Sequence, residues 1–452
     1  MLKQFWQKLF GNSSATEKQR EVVVVPRSEH NISRQDISVN ALKVLNRLRK
    51  SDYDAYLVGG GVRDILLGFH PKDFDIATNA TPEQIKRLFR NCRIIGRRFK
   101  LAHILFGHEI IEVATFRASH NEASPHGEQS ESGMLVRDNV YGSIEDDAWR
   151  RDFTVNALYY SINDFSVIDF TGGLEDLRKG QLRLIGDPIT RYREDPVRML
   201  RAIRLAAKLG LKIEEKTAEP IFDQGQLLTN VSAARLWDES HKLLLAGKSH
   251  DTFLELKRYE LFKQLFPATQ SALDDDPKQR FIRFVEASLQ STDKRIAEEK
   301  PVTPAFLFSV FLWAPLKVRV NELTEQGMSK NDAYHKAMTQ VLTEQSQFIS
   351  IPRRFSIVIR EIWSLQPRLE NRSHRAYKLL EHPRFRAAYD FLVLRAVGNE
   401  QLQSTASWWT RYQEAPPEGQ RKMTQALTKS NKRGGKRRYN RKRKPNKNPT
   451  AQ

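Results

Sequence analysis

The run Tyr56-Leu57-Val58-Gly59-Gly60-Gly61-Val62-Arg63-Asp64, followed closely by Asp73-Phe74-Asp75-Ile76, decides how the N-terminal part of this chain folds. The apolar triplet Tyr56-Leu57-Val58 reads as a short buried strand, residues 62–67 as a helix, and Asp73-Phe74-Asp75-Ile76 as a second strand. A glycine triplet on its own is most simply a tight turn. Placed between a strand and a helix, it also lets backbone N–H groups approach an anion closely, and Arg63 adds a side chain suited to bidentate phosphate contact. Asp73 and Asp75 alternate with Phe74, so on a strand their carboxylates point to one side, about 6–7 Å apart along the chain. An isolated pair of this kind is ordinarily a solvated acidic turn, but the spacing also suits two oxygen-ligated cations about 3.5–4 Å apart.

Working outward, Thr81-Pro82-Glu83 has the residue types of a helix start, with Thr81 as N-cap and Pro82 at the first helical position. Residues 104–106 and 109–116, split by Gly107-His108, read as a hairpin. Glu112 lies among apolar residues on its second strand and needs either a cation or a partner such as Arg117. Residues 121–133 are polar and aperiodic and are expected to form a mobile loop. Beyond Tyr192 nearly everything follows helical spacing, as in Met199, Leu200, Ile203 and Ala206. The expected class is α+β, a head with a small mixed or antiparallel sheet followed by an all-α neck and body. The expected segments are a flexible leader (1–35), a catalytic head (36–185), a helical neck (186–272), a helical body (273–415) and a disordered basic tail (416–452).

Composition narrows the partners. No apolar run is long enough to cross a bilayer; the longest, residues 304–316, is short and broken by Ser309 and Pro315. Residues 1–11 carry aromatic residues among lysines but lack the form of a signal peptide, and read as a frayed terminus, with a short amphipathic anchor or docking helix as the alternative. Cys92 is the only cysteine, which excludes an intrachain disulfide and a cysteine-rich zinc site and fits a reducing cytoplasm. The net charge of +20 suggests a polyanionic partner. Residues 429–452 hold eleven Lys and Arg and no acid, leaving +9 on the rest of the chain. In this tail Lys429, Lys432, Arg433, Lys436, Arg437, Arg438, Arg441, Lys442, Arg443 and Lys444 are the candidate RNA-binding residues.

Two further clusters carry chemistry: Arg150-Arg151-Asp152-Phe153-Thr154-Val155-Asn156, and Tyr192-Arg193-Glu194-Asp195-Pro196-Val197-Arg198-Met199-Leu200-Arg201. Asp195 and Arg198, three apart, share a helix face. That is commonly no more than a surface ion pair. The same pair, however, matches a base edge that presents an amino group beside a ring nitrogen, as adenine and cytosine both do.

These four motifs, in this order, resemble the catalytic half of the class II nucleotidyltransferases of the polymerase-beta superfamily, the family of tRNA CCA-adding enzymes and bacterial poly(A) polymerases. The resemblance implies a template-independent transfer of nucleotides to RNA 3′ ends. It also implies roles for individual residues: Asp73 and Asp75 for the metals with Glu112 as third carboxylate, Asp152 as a further active-site acid, Gly59, Gly60 and Arg63 for the triphosphate, and Asp195 and Arg198 for the base, with Arg151 and Arg201 nearby. Magnesium is the implied metal, with manganese as substitute, and ATP the substrate. Leu236-Trp237-Asp238-Glu239-Ser240, Ile351-Pro352-Arg353-Arg354-Phe355 and the basic tail look like the poly(A)-adding branch, which implies polyadenylation, a monomer and RNA-decay factors as partners. A CCA-adding enzyme and a non-catalytic RNA-binding protein on the same fold are the alternatives. Trp408-Trp409 reads as helix packing rather than a base-stacking platform.

Overall fold

The computed structural model describes residues 21–96, 100–118, 127–129, 135–138, 140–373 and 375–427. The chain divides into two compact units, Met1–Val231 and Ser232–Gln452.

The first unit is built on an eight-stranded sheet. Its strands are β1 (Val23–Val25), β2 (Ala55–Val58), β3 (Asp75–Thr78), β4 (Cys92–Ile95), β5 (Leu101–Phe106) and β6 (Glu109–Thr115), then β9 (Leu158–Ser161) and β10 (Val167–Asp169), which follow a separate ribbon of β7 (Gly127–Gln129) and β8 (Leu135–Asp138). The order is β1-β10-β9-β2-β3-β6-β5-β4, and every pairing is antiparallel except β3 with β6. The glycine run lies between central strand β2 and the helix Gly60–Leu66, as its residue types imply. Thr81 caps the helix Pro82–Leu88 by accepting from Gln84 N, while the Gln84 side chain returns a bond to Thr81 N.

Four expectations change. The sheet is larger than the sequence suggested, because the leader supplies a strand: three consecutive valines pair with β10, Val25 is buried, and Ile32 is sealed from solvent. Part of the expected loop 121–133 pairs as the β7–β8 ribbon; the remainder of that stretch lies outside the described residues. A short parallel pair, β11 (Gln181–Leu182) with β12 (Lys212–Ile213), enters the region expected to be wholly helical. The chain also does not lose its helices at Pro416: residues 417–427 are helical, and Met423 and Leu427 pack on a core of Trp408, Trp409 and Tyr412.

The second unit is helical. Phe262, Phe266, Phe308 and Phe311 pack within it in edge-to-face and tilted pairs, and Trp363 Nε1 donates to Ser309 O at 3.0 Å. The longest apolar run falls in the helices Pro304–Phe311 and Trp313–Glu325, and no described helix is long and apolar enough to cross a membrane. Trp409 is fully buried and donates to Leu369 O at 2.8 Å, so it is a packing residue. The Asp276 carboxylate caps the helix Arg280–Ala297 by accepting its first backbone N–H groups.

His30 fastens the N-terminal segment. Its Nε2 bonds Phe165 O at 2.8 Å and its Nδ1 accepts from Ile32 N at 3.2 Å, a pattern only the neutral ring satisfies. Burial pushes its pKa below 6.5, so the unfolded chain binds the proton more readily than the folded one. Its contribution is therefore present above pH 6.5 and lost as pH falls through its lowered pKa. Hydrogen exchange of residues 21–37 should accelerate between pH 7 and 5 after correction for intrinsic rates. Protection that stays constant over that range would refute the role given to His30.

Candidate active site

The sheet register determines which carboxylates meet. Asp75 and Glu112 are direct partners across the parallel β3–β6 pair, and β5 sets His103 opposite Glu112 on the other side. Phe74 points into the core while its neighbours do not: Asp73, just before the strand, is exposed and Asp75 is half-buried. Burial, followed by repulsion from Glu112, raises the pKa of Asp75 to about 6; Arg151 opposes the rise and Asp73 adds to it. Glu112 has turned to His103, whose Nε2 lies 3.1 Å from its Oε1, and not to Arg117.

The donor set fits a hard cation in one form only. No group of three or more His, Cys, Asp or Glu among the described residues is gathered closely enough to hold a metal. Glu112, the expected third carboxylate, pairs with His103 in this state. Asp73 and Asp75 are two hard oxygen donors, and burial with neighbouring like charge raises the pKa of Asp75. That set suits magnesium, which keeps several waters and takes its other ligands from substrate phosphates.

Gly59 has φ +77°, a conformation that disfavours any side chain, and a Cβ there would stand 3.5 Å from Arg151 Nη1 and 3.8 Å from Asp75 Oδ2. The turn, Arg151 and Asp75 thus converge on one spot. Arg63 behaves differently. It is buried, donates to Asp64 at 2.8 Å and to Asn156 Oδ1, and lies against the backbone of Gly60. With these bonds it braces the glycine turn.

Asp152 is engaged on both carboxylate oxygens. Its Oδ1 accepts from Phe153 N at 2.8 Å and Asn156 Nδ2 at 3.1 Å, while Oδ2 pairs with Arg201. Burial works against ionisation, but Arg201 and these hydrogen bonds win and hold its pKa down to about 2. It therefore stays a structural anion at neutral pH. Asp195 ends the helix Pro188–Glu194 and is buried. Arg198, in the first turn of the helix Val197–Leu209, donates from Nη1 to Arg191 O at 2.7 Å and to Glu194 Oε2 at 2.9 Å. Its partner in this state is thus Glu194 and not Asp195. The tail residues from Lys429 to Lys444 lie outside the described residues.

Sequence reasoning missed Glu194, Asn156 and Asp147 as organising groups, and Arg204, which continues the Arg198–Arg201 spacing on one helix face. Asp147 was detectable: it precedes Arg151 by four residues, the distance of an intrahelical ion pair.

A sheet with paired carboxylates, a glycine turn and facing arginines defines a nucleotidyltransferase head. Residues 55–183 match the Poly A polymerase head domain, 210–273 the probable RNA and SrmB-binding site of polymerase A, and 326–445 the polymerase A arginine-rich C-terminus. The fold resembles the Bacillus stearothermophilus CCA-adding enzyme in complex with CTP (TM-score 0.54, 22% identity, 81% of each chain). It also resembles the Thermotoga maritima CCA-adding enzyme complexed with tRNA (TM-score 0.55, 21% identity, 88% of this chain and 89% of that one). In sequence the chain is 51% identical to Poly(A) polymerase I of Salmonella typhi over 90% of its length and 89% of that protein. It is 50% identical to that of Escherichia coli O157:H7 over 95% and 94%. The CCA-adding enzyme of Lactobacillus helveticus is 34% identical over 57% of this chain. The chain belongs to the poly(A) polymerase I family and is a polynucleotide adenylyltransferase.

The raised pKa of Asp75 has a measurable consequence. Its stabilising protonated form is fully present below about pH 4 and lost as pH rises through about 6, so at pH 8 the metal-free protein carries a penalty of roughly 2–3 kcal/mol. Asp75→Asn should unfold at higher denaturant than the parent at pH 8 in EDTA, with the gap closing by pH 4. Equal stability at pH 8 would contradict the electrostatic picture.

Proposed function

We propose that this chain extends RNA 3′ ends with AMP from ATP, releasing pyrophosphate, with the triphosphate lying between the Gly59-Gly60-Gly61 turn and Arg151 and with Asp73 and Asp75 holding magnesium (or manganese). The observation that carries this reading is the convergence of Gly59, Arg151 Nη1 and Asp75 on one spot. A divalent cation bound there would make the RNA 3′-hydroxyl more acidic and neutralise charge on the departing pyrophosphate. The chain's own groups do the rest. Asp75 gives up its proton as pH rises past about 6. Arg151 places fixed positive charge where negative charge grows, and the glycine turn lets backbone reach the phosphates. Asp195 and Arg198 read the base edge in place of a template strand. Asp152 and Arg63 act as braces.

The poly(A) reading is favoured over CCA addition because the poly(A) polymerase relatives match along nearly the whole chain, whereas the CCA-adding relatives match little more than half. A cytoplasmic monomer that promotes RNA decay with protein partners, its segments divided as the sequence suggested, completes the proposal. The deciding test is the product formed with magnesium, labelled ATP and either generic RNA or a tRNA lacking its end. An oligo(A) ladder on both is expected, and CCA on the tRNA alone would overturn it.

Arg198→Ala should lower discrimination of ATP over GTP and UTP by about 1–3 kcal/mol, roughly 5- to 150-fold. Wild-type selectivity in that variant would remove Arg198 from base reading. Deleting residues 429–452, which carry eleven cations, should weaken RNA binding and flatten its salt dependence, the negative slope becoming shallower by roughly 0.7 per lost phosphate contact. Turnover at saturating RNA should persist, and an unchanged salt slope would exclude the tail from the RNA site.

A further inference from the structure

We infer that Asp147 is a positioning residue for the triphosphate site, acting through Arg151, to which none of the motif residues is comparably bonded. Asp147 sits on the helix Ile144–Arg150, and its side chain is 1% exposed. Five donors from three elements converge on it. Oδ2 accepts from Arg151 Nε at 3.0 Å, Arg151 Nη2 at 2.9 Å and the Tyr159 hydroxyl at 2.7 Å. Oδ1 accepts from the backbone N and the Nε of Arg117, both at 3.3 Å. A buried carboxylate is tolerated only when fully paired, and this one is.

The geometry leaves Arg151 one free direction. One edge of the guanidinium is taken by Asp147, Nε is also shared with the Tyr159 hydroxyl at 3.0 Å, and the carbon stands 5.3 Å from the Tyr159 ring centre. The remaining nitrogen, Nη1, is the one that meets the glycine turn. Asp147 thereby fixes which face of Arg151 a phosphate would encounter. Through the Arg117 backbone it also ties the end of β6, the strand that carries Glu112, to the same point. Arg117, Arg151 and Tyr159 are the charged and titratable groups that face it.

This inference rests on the proposed reading of Arg151 as a triphosphate contact, and the test separates the two. The full-length enzyme is used, with inorganic tripolyphosphate as binding probe and KM measured for ATP and for GTP. Asp147→Asn should weaken tripolyphosphate binding and raise both KM values in parallel by about 10- to 100-fold, the scale seen when a group orienting a ligand-binding side chain is lost. The ATP-over-GTP preference should not move, because base reading lies elsewhere. Asp147→Glu, which keeps the charge, should recover part of the loss. In an Arg151→Ala background, Asp147→Asn should have no further effect. Full additivity of the two losses would overturn the positioning role. Unchanged tripolyphosphate affinity in Arg151→Ala alone would instead overturn the reading of Arg151. Should Asp147→Asn fail to fold, Tyr159→Phe carries the test. It removes one hydroxyl from the same contact, and its smaller loss must vanish in the Arg151→Ala background, or the inference fails.

Discussion

The pairing of β3 with β6 sets Asp75 beside Glu112, and the organisation of the head follows from that juxtaposition. Backbone hydrogen bonds enforce the register, so the two residues stay neighbours whatever their charge. Asp75 is moreover partly withdrawn from water, and the combined effect holds its proton to about pH 6. A site of this kind needs positive charge at a fixed distance, and Arg151 supplies it beside the glycine turn. A buried guanidinium has its own desolvation cost, which Asp147 and Tyr159 offset with direct bonds. Anion, cation and anion therefore alternate inward from the site, each making the next one tenable.

The same logic extends into the helices that follow. Arg191 Nη2 donates to the backbone carbonyls of Arg150 and Arg151, at 2.8 and 2.6 Å, and its Nη1 pairs with Glu194. Glu194 is shared with Arg198. Burial and the nearby Arg198 lower the pKa of Arg191 to about 10, a sign of how closely two cations are packed around one carboxylate. Such arginine–glutamate–arginine arrangements add little stability compared with apolar packing, and their usual return is a defined geometry. Here the geometry links the segment that carries Arg151 to the helix that carries Arg198.

What could be read from the sequence was what local chemistry dictates. The strand–turn–helix around Gly59, the cap at Thr81 and the hairpin about Gly107 follow from residue type and spacing. The aspartate pair was likewise visible, because alternation with Phe74 needs no tertiary information. Partner choice was not. Glu112 had an arginine five residues away in sequence, yet β5 brings His103 to it, a register that no local pattern encodes. Asp152 and Arg63 sit in motifs rich in reactive types, and only three-dimensional packing reveals that Arg201, Asn156 and Asp64 have already engaged them. The leader was misjudged for a related reason: three valines look unremarkable until β10 offers an unpaired edge.

The separation of duties between arginines bears on selectivity without a template. Arg151 is held by a carboxylate four residues earlier on the chain, and Arg198 by one four residues earlier as well. In each case one side of the guanidinium is committed before any nucleotide arrives, so its orientation costs no further side-chain entropy on binding. A fixed donor is also a strict one. A base that presents a donor to Arg198 leaves both groups unpaired in a buried setting, and that penalty exceeds the modest gain of a correct hydrogen bond. On the proposed reading, rigidity at Arg198 therefore contributes to rejecting wrong bases, while rigidity at Arg151 acts on the triphosphate that all nucleotides share. Discrimination and catalysis can then be adjusted through different carboxylates, Glu194 for one and Asp147 for the other, although both belong to a single bonded network.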